Sequence, residues 1–453
     1  MTLSPTITPQ FPGPAPARSL LAQLKLGRAF QRDPLGTLAS YQAEYGDFYY
    51  LQVGDAGQFF VAHPEDIREV LVTQADKFIK DPQYRDPKMG IARYLGNGLL
   101  TSDGAFWKRQ RRLVAPAFHH RRIEGYAETM VAYTDQMLDG WRDGARLDIA
   151  AEMTRLTLFI VARALFNSDV SGDATRIAAA MDIIQTVLGE GWYLPPWVPD
   201  PRRWRAGRAR RDLDAVVYRI IHEWRATGED RGDLLSMLLL AEDEEGRRMT
   251  DEQARDEVVT LLLAGHETTA NTLNWTWLLL AQHPEVEAKL HAELAEVLNG
   301  RLPQLEDLPQ LKYTERVVKE AMRLYPAAWA ISREATEAVT LRGGTVPPGG
   351  VVGVMIYFTH RDPRWWPEPE RFDPERFCEE TSEAIPRYAY LPFGGGPRVC
   401  VGNSFAMMEA RLLLATIASR YRLEALPGHT VEPAPLITLN PKGGLPMIVR
   451  RRV

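Results

Sequence analysis

Only two cysteines, Cys378 and Cys400, stand among 453 residues. So few exclude a disulfide framework and point to a reducing compartment. Long apolar runs are missing as well, and a membrane-crossing helix needs roughly 20 such residues. The opening "MTLSPTITPQFPGPAPARSL" lacks the basic start and apolar core of a signal peptide. A cytoplasmic protein with no transmembrane anchor is the expectation. Basic charge is not in excess. The net charge of −5 speaks against a general nucleic-acid binder. The basic clusters at Lys108–Arg112 and Arg202–Arg211 read as solvated helix faces. What the chain does have is apolar mass, 45% of its residues, ample for a large core.

Residues 1–33 read as a loose, proline-rich leader, and 34–453 as a single domain without internal repeats. The fold class is mainly α with a small β-rich subdomain (α+β). The β-rich parts fall at about 46–64, 328–357 and 421–453, and the helical parts at about 103–325 and 403–420. "GDFYYLQVGDAGQFFVAHP" (46–64) has two β-rich runs around Gly54 and Gly57, which predicts a hairpin. Further strands are expected at 351–357, near 436–439 and at 447–452, sharing one small sheet with that hairpin. The longest helix should begin at Thr250, where "TDEQ" is a capping box, and run to about Gln282. Its middle is apolar on nearly every side, so it should be buried.

Two stretches break the apolar pattern with chemistry. "AGHETT" (264–269) sets a glycine, an acid and two threonines inside the long helix. Gly265 costs about 1 kcal/mol there relative to alanine, and Thr268 can bond back to the preceding turn. Together they predict a local opening of the helix, with Glu267 supplying a proton-carrying carboxyl and Thr268 a hydroxyl. The competing reading keeps Gly265 for close helix packing and pairs Glu267 with a distant base. His266 reads as a packed or solvated neighbour. The second stretch is "FGGGPRVCVG", from Phe393. Backbone N–H groups and the helix expected from Gly402 would lower the pKa of Cys400. Gly394, Gly395, Gly396 and Gly402 would let backbone approach a flat ligand. Arg398 offers a fork for a carboxylate, and Phe393 can cover the sulfur. A buried structural cysteine is the plainer reading, but it explains neither Arg398 nor the glycines.

F-x-x-G-x-R-x-C-x-G (Phe393, Gly396, Arg398, Cys400, Gly402) resembles the haem-binding signature of the cytochrome P450 monooxygenases. Other elements match in that family's order. Trp107 and Arg111 resemble its W-x-x-x-R, which meets a haem propionate. Ala264, Gly265, Glu267 and Thr268 resemble its oxygen-activation motif. Glu320 and Arg323 resemble its E-x-x-R, and "FDPERF" (372–377) its P-E-R-F element. The resemblance covers about residues 35–453. It implies the cytochrome P450 fold, with haem b (iron protoporphyrin IX) between the long central helix and the cysteine loop with its following helix. Cys400 would be the iron ligand, Glu267 and Thr268 the proton relay, and Arg333 a partner of the other propionate. A surface place for Arg333 is the alternative. Glu320, Arg323 and Arg376 are assigned to a structural network. An i,i+3 pair on a surface is worth only a few tenths of a kcal/mol, so a buried version needs the third partner.

The implied reaction inserts one oxygen atom of O2 into a lipophilic substrate: a fatty acid, terpenoid or steroid. Electrons would come from a separate ferredoxin or flavodoxin with its NAD(P)H reductase, and the chain would act as a monomer. Lys108 and Arg112 are candidates for docking that acidic partner. A haem-thiolate peroxygenase or isomerase and a non-catalytic haem sensor are the alternatives. Leu99 and Leu100, within "MGIARYLGNGLL" (89–100), are expected nearest the haem on the substrate side. Ala264, Ala328, Trp329 and Ile331 would add walls, and Leu436 to Leu439 a far side. "GWYLPPWVP" (191–199) reads as an access lid or a packed loop.

Overall fold

A computed structural model describes residues 11–88, 90–166, 171–189 and 200–452. The proposed lid at 191–199 lies outside the described residues. No helix among them is long and apolar enough to cross a membrane. The chain groups into two compact units. One comprises 1–81, 329–369 and 385–399; the other comprises 82–328, 370–384 and 400–453.

The first unit is built on a five-stranded sheet. Its strands are β1 (Phe48–Val53), β2 (Ala56–Val61), β3 (Phe78–Ile79), β4 (Ile331–Ala335) and β5 (Val351–Val354), in the order β1-β2-β5-β4-β3. β1 and β2 form the expected hairpin, with Phe48 opposite Val61 and Val53 opposite Ala56. Gly54 opens its two-residue turn at φ 59°, a conformation that favours glycine. β5 lies parallel to β2, with Gln58 opposite Val351. One face of the sheet buries Phe59, Val61, Val352 and Val354 on Ile67, Leu71 and Leu391. The strand expected over 351–357 stops at Val354, and a helical turn, Ile356–Thr359, follows. The supposed loose leader contains a helix, Leu20–Arg32, capped by the Ser19 hydroxyl.

The second unit is mostly helical, and its helices include α1 (Gly104–Val114), α2 (Ile149–Phe166), α3 (Ser171–Gly189), α4 (Asp251–Gln282), α5 (Lys312–Leu324) and α6 (Asn403–Arg420). α4 starts at the predicted capping box. The Gln253 N–H donates to the Thr250 hydroxyl at 3.2 Å, and the Thr250 N–H donates to Gln253 Oε1 at 3.0 Å. At 1.5 Å per residue its 32 residues span about 48 Å. Strands Arg146–Asp148, Pro446–Arg451 and Tyr421–Ala425 form a separate three-stranded sheet, and Pro433–Pro435 pairs with Leu439–Pro441. The expected single sheet is therefore corrected. Of the three late strands expected there, only β5 pairs with the hairpin, because the C-terminal strands find partners within their own unit.

Candidate active site

Cys400 is exposed, yet protein surrounds it closely enough to desolvate the thiol. That combination describes a sulfur in a recess rather than on a convex surface. Burial pushes its pKa up. The Gly402 N–H, which donates to the sulfur, and the Arg111 guanidinium hold it down only in part. The expected net lowering is thus corrected: backbone and helix end favour the thiolate, but desolvation outweighs them. A bound metal would reverse the balance, since a coordinating thiol is deprotonated.

The loop glycines separate into different cases. Gly396 has φ 67°, and a Cβ there would lie 1.8 Å from the Leu71 carbonyl oxygen. Gly394 has φ 70° but open space beside it, with Ile331 at 4.0 Å. At Gly402 a Cβ would meet nothing closer than the Phe118 ring at 3.6 Å. Only Gly396 is fixed by close protein packing. Arg398 and Phe393 are half-buried in the same loop. Arg333, in β4, is buried and donates to the Ser332 carbonyl at 2.7 Å, so the surface alternative falls.

Trp107 and Arg111 sit one turn apart on α1. The indole is buried, and burial pulls the Arg111 guanidinium below its ordinary pKa. Lys108 and Arg112 on the same helix are exposed, and Arg112 is paired with Glu244.

Between Ala254 and Leu280 every residue of α4 is buried except Ala264, Gly265 and Thr268. These three share a face one turn long. The predicted opening of the helix is absent: α4 is continuous, and the Thr268 hydroxyl donates to the Ala264 carbonyl at 2.6 Å. Gly265 answers to packing as well. A Cβ there would stand 2.7 Å from Val161 Cγ2 on α2. His266 is packed, with Nδ1 2.5 Å from the Leu262 carbonyl oxygen, and burial lowers its pKa.

Among the described residues Glu267 pairs with polar neutral groups and not with a base. Its carboxyl is buried, and desolvation raises its pKa to about 7, aided by Asp182 and opposed by donors from Thr438, Asn440 and Gln185. The Thr438 hydroxyl donates to Oε1 at 2.5 Å, and the Gln185 amide to Oε2. An acid balanced near neutrality can take up and give back a proton.

Glu320, Arg323 and Arg376 come together as expected. Arg323 Nε and Nη2 donate to Glu320 at 2.8 Å each, with both side chains fully buried. Arg376 Nε lies 3.4 Å from Glu320 Oε1. The Asp373 N–H donates to that oxygen at 3.0 Å, and Arg323 reaches the Arg371 carbonyl at 3.1 Å. The pair is thereby tied to the 371–376 segment.

The pocket residues divide. Leu99 and Leu100 are half-buried, and their loop is fastened to α4 by groups that sequence reasoning missed. The Asn97 N–H donates to Asp256 at 2.7 Å and the Leu99 N–H to Glu257 at 3.0 Å. Arg255 donates to the Leu95 and Tyr94 carbonyls at 2.9 and 3.0 Å. The available signal was "RDE" (255–257), three charges inside an apolar helix. Ala328 remains half-buried, whereas Trp329 packs on the Leu38, Tyr49 and Phe60 cluster. Ile331 packs on the sheet core near Gly394. Leu439 is wholly buried, its carbonyl accepting the Trp275 indole N–H at 2.9 Å, so its side chain is core and not pocket wall.

A thiol facing a recess, with a backbone N–H on its sulfur and an arginine in electrostatic reach, would suit a thiolate ligand to a metal carried by a cofactor. On α4, Ala264, Gly265 and Thr268 leave one turn bare. Among the described residues no three His, Cys, Asp or Glu converge on a metal site. An iron at Cys400 would take its remaining ligands from a cofactor. The family model for cytochrome P450 matches residues 9–445, and the chain belongs to the cytochrome P450 family. It is a haem-thiolate monooxygenase, an enzyme class that takes electrons from redox partners and oxygen from O2. The cyclooctatin synthase of Streptomyces melanosporofaciens is 41% identical, over 93% of this chain and 92% of that protein. The cyclooctat-9-en-7-ol 5-monooxygenase of the same organism is 38% identical, over 94% of this chain and 92% of that protein. A retinoic-acid-bound cyanobacterial cytochrome P450 superposes with a TM-score of 0.86 at 25% identity, covering 98% of this chain and all of that one.

Proposed function

We propose that this monooxygenase hydroxylates a terpenoid, with haem b held by Cys400. A ferredoxin or flavodoxin with its NAD(P)H reductase supplies the electrons. Residues 34–453 act as one catalytic domain, as a monomer in the cytoplasm. The observation that carries the reading is the one-turn bare face on α4 beside a buried acid of near-neutral pKa. The substrate class rests on the relatives named cyclooctatin synthase and cyclooctat-9-en-7-ol 5-monooxygenase, and on the apolar half-buried side chains of Leu99 and Leu100.

The balance of the reaction is one C–H bond and O2, with two electrons and two protons, giving an alcohol and water. When bound, the thiolate-ligated haem supplies oxygen activation, its thiolate favouring O–O cleavage. The chain's residues do the rest. Trp107, Arg111, Arg333 and Arg398 would hold the propionates, Phe393, Gly394 and Gly402 would shield the sulfur, and Ala264 and Gly265 would leave room for the flat group. Glu267 stores a proton, and the Thr268 hydroxyl, released from the Ala264 carbonyl, passes it on. Glu320, Arg323 and Arg376 fix the segments around them. This acid and hydroxyl favour a reductant-driven enzyme over a peroxygenase, an isomerase or a sensor.

The test is turnover of the ferric holoenzyme with a surrogate ferredoxin, its reductase and a panel of cyclic terpene alcohols. Alcohol product from reductant and O2 supports the reading. Thr268→Ala should consume reductant while releasing peroxide in place of most product. Product with peroxide alone, or tight coupling in Thr268→Ala and Glu267→Gln, overturns it.

A further inference from the structure

Glu267, Asn271 and Trp275 lie at intervals of four on one face of α4, and all three hold the same partner segment, Leu436–Pro441. Trp275 donates to the Leu439 carbonyl at 2.9 Å. The Asn271 amide donates to the Thr438 hydroxyl at 3.1 Å and also to Asn440 Oδ1. Because Asn271 donates to it, the Thr438 hydroxyl keeps its own proton for Glu267, to which it donates at 2.5 Å. Asn440 Nδ2 reaches the same oxygen at 3.5 Å. The Leu439 N–H, donating to the Ala327 carbonyl at 3.0 Å, anchors the segment from the other side. Ahead of it stand Leu436 and Ile437, both half-buried.

We propose that Thr438 is a positioning residue for Glu267, braced by Asn271 and Asn440, so that the placement of the 436–440 segment sets the orientation and proton affinity of the relay acid. The proposal rests on the relay reading above and deepens it. Position 438 is one residue from Ile437 and two from Leu436. A substrate displacing those side chains therefore moves the strongest donor to the acid. Asn440 moves with the same segment, and the remaining groups facing Glu267 do not. Gln185 donates from α3, Asp182 is the charged group bearing on it, and His266 is turned to Leu262, its pKa lowered by burial. A donor to a carboxylate favours its ionised form, so losing Thr438 must raise the pKa of Glu267.

The experiment is an infrared titration of the purified ferric holoenzyme. The carboxylic C=O band absent from Glu267→Gln is assigned to Glu267 and followed from pH 5 to 10. The wild-type midpoint is expected at about 7. Thr438→Val should move it up by about one pH unit, the worth of one hydrogen bond, and Thr438→Ser should restore it. Asn271→Ala, which leaves every donor to Glu267 in place, should move it the same way by less. It carries the test if Thr438→Val does not fold. An unmoved midpoint in the folded variant overturns the proposal and leaves the relay standing. Normal coupling in Glu267→Gln overturns the relay reading, whatever the titration gives.

Discussion

Replacing Glu409 with glutamine should stabilise the protein, and more so as the pH rises. Glu409 lies on α6, wholly buried. Neither carboxyl oxygen completes a hydrogen bond of normal geometry. The Thr269 hydroxyl on α4 comes near enough to favour the ionised form slightly, but desolvation dominates and lifts the pKa from 4.5 to about 8. Between those values the unfolded chain has released a proton that the folded chain keeps, so rising pH favours unfolding. At about 1.4 kcal/mol per pH unit, the cost is about 1 kcal/mol at pH 5.5 and near 5 kcal/mol at pH 8.5, as a ceiling. Glutamine carries no such proton. Any penalty for burying its amide is the same at both pH values and drops out of the comparison. Thermal unfolding of the ferric holoenzyme at pH 5.5 and 8.5 is the assay. The Tm gain of Glu409→Gln should be several-fold larger at pH 8.5. An equal offset at both pH values refutes the reasoning.

Three more outcomes follow from the geometry. Glu320→Gln leaves Arg323 and Arg376 as buried charges without their carboxylate and should cost about 3–5 kcal/mol, read as a lower Tm and reduced haem content. Gly396→Ala places a Cβ on the Leu71 carbonyl at positive φ, while Gly395→Ala meets nothing closer than Tyr388 at 3.4 Å. The first should fail to give holoenzyme, and the second should keep a Tm close to wild type. Lys108→Glu should slow reduction by a surrogate ferredoxin and flatten its salt dependence. Arg112→Glu should do less, because Arg112 already answers Glu244.

What could be read from the sequence was local or motif-borne. The capping box at Thr250 fixed the start of α4, and the i,i+3 spacing of Glu320 and Arg323 placed both on one buried face. Long-range pairing was not legible. β5 lies beside β2 although nearly 300 residues separate them, and alternation alone does not choose a partner. The partners of Glu267 were hidden for the same reason: Gln185, Thr438 and Asn440 are ordinary polar residues until the fold gathers them. The role of Gly265 depended on Val161, about a hundred residues away. The Cys400 thiol shows the limit of reasoning from local donors, since desolvation is a property of everything around it.

α4 can be regarded as a measuring rod. Glu257 anchors the Leu99 loop and Asn271 braces Thr438, fourteen residues apart, which is about 21 Å along the axis. The bare turn at Ala264–Thr268 falls between these marks. One residue inserted or deleted between them turns the far mark by about 100° and detaches it. The spacing between the Leu99 loop and the 436–440 segment is therefore set by the helix itself.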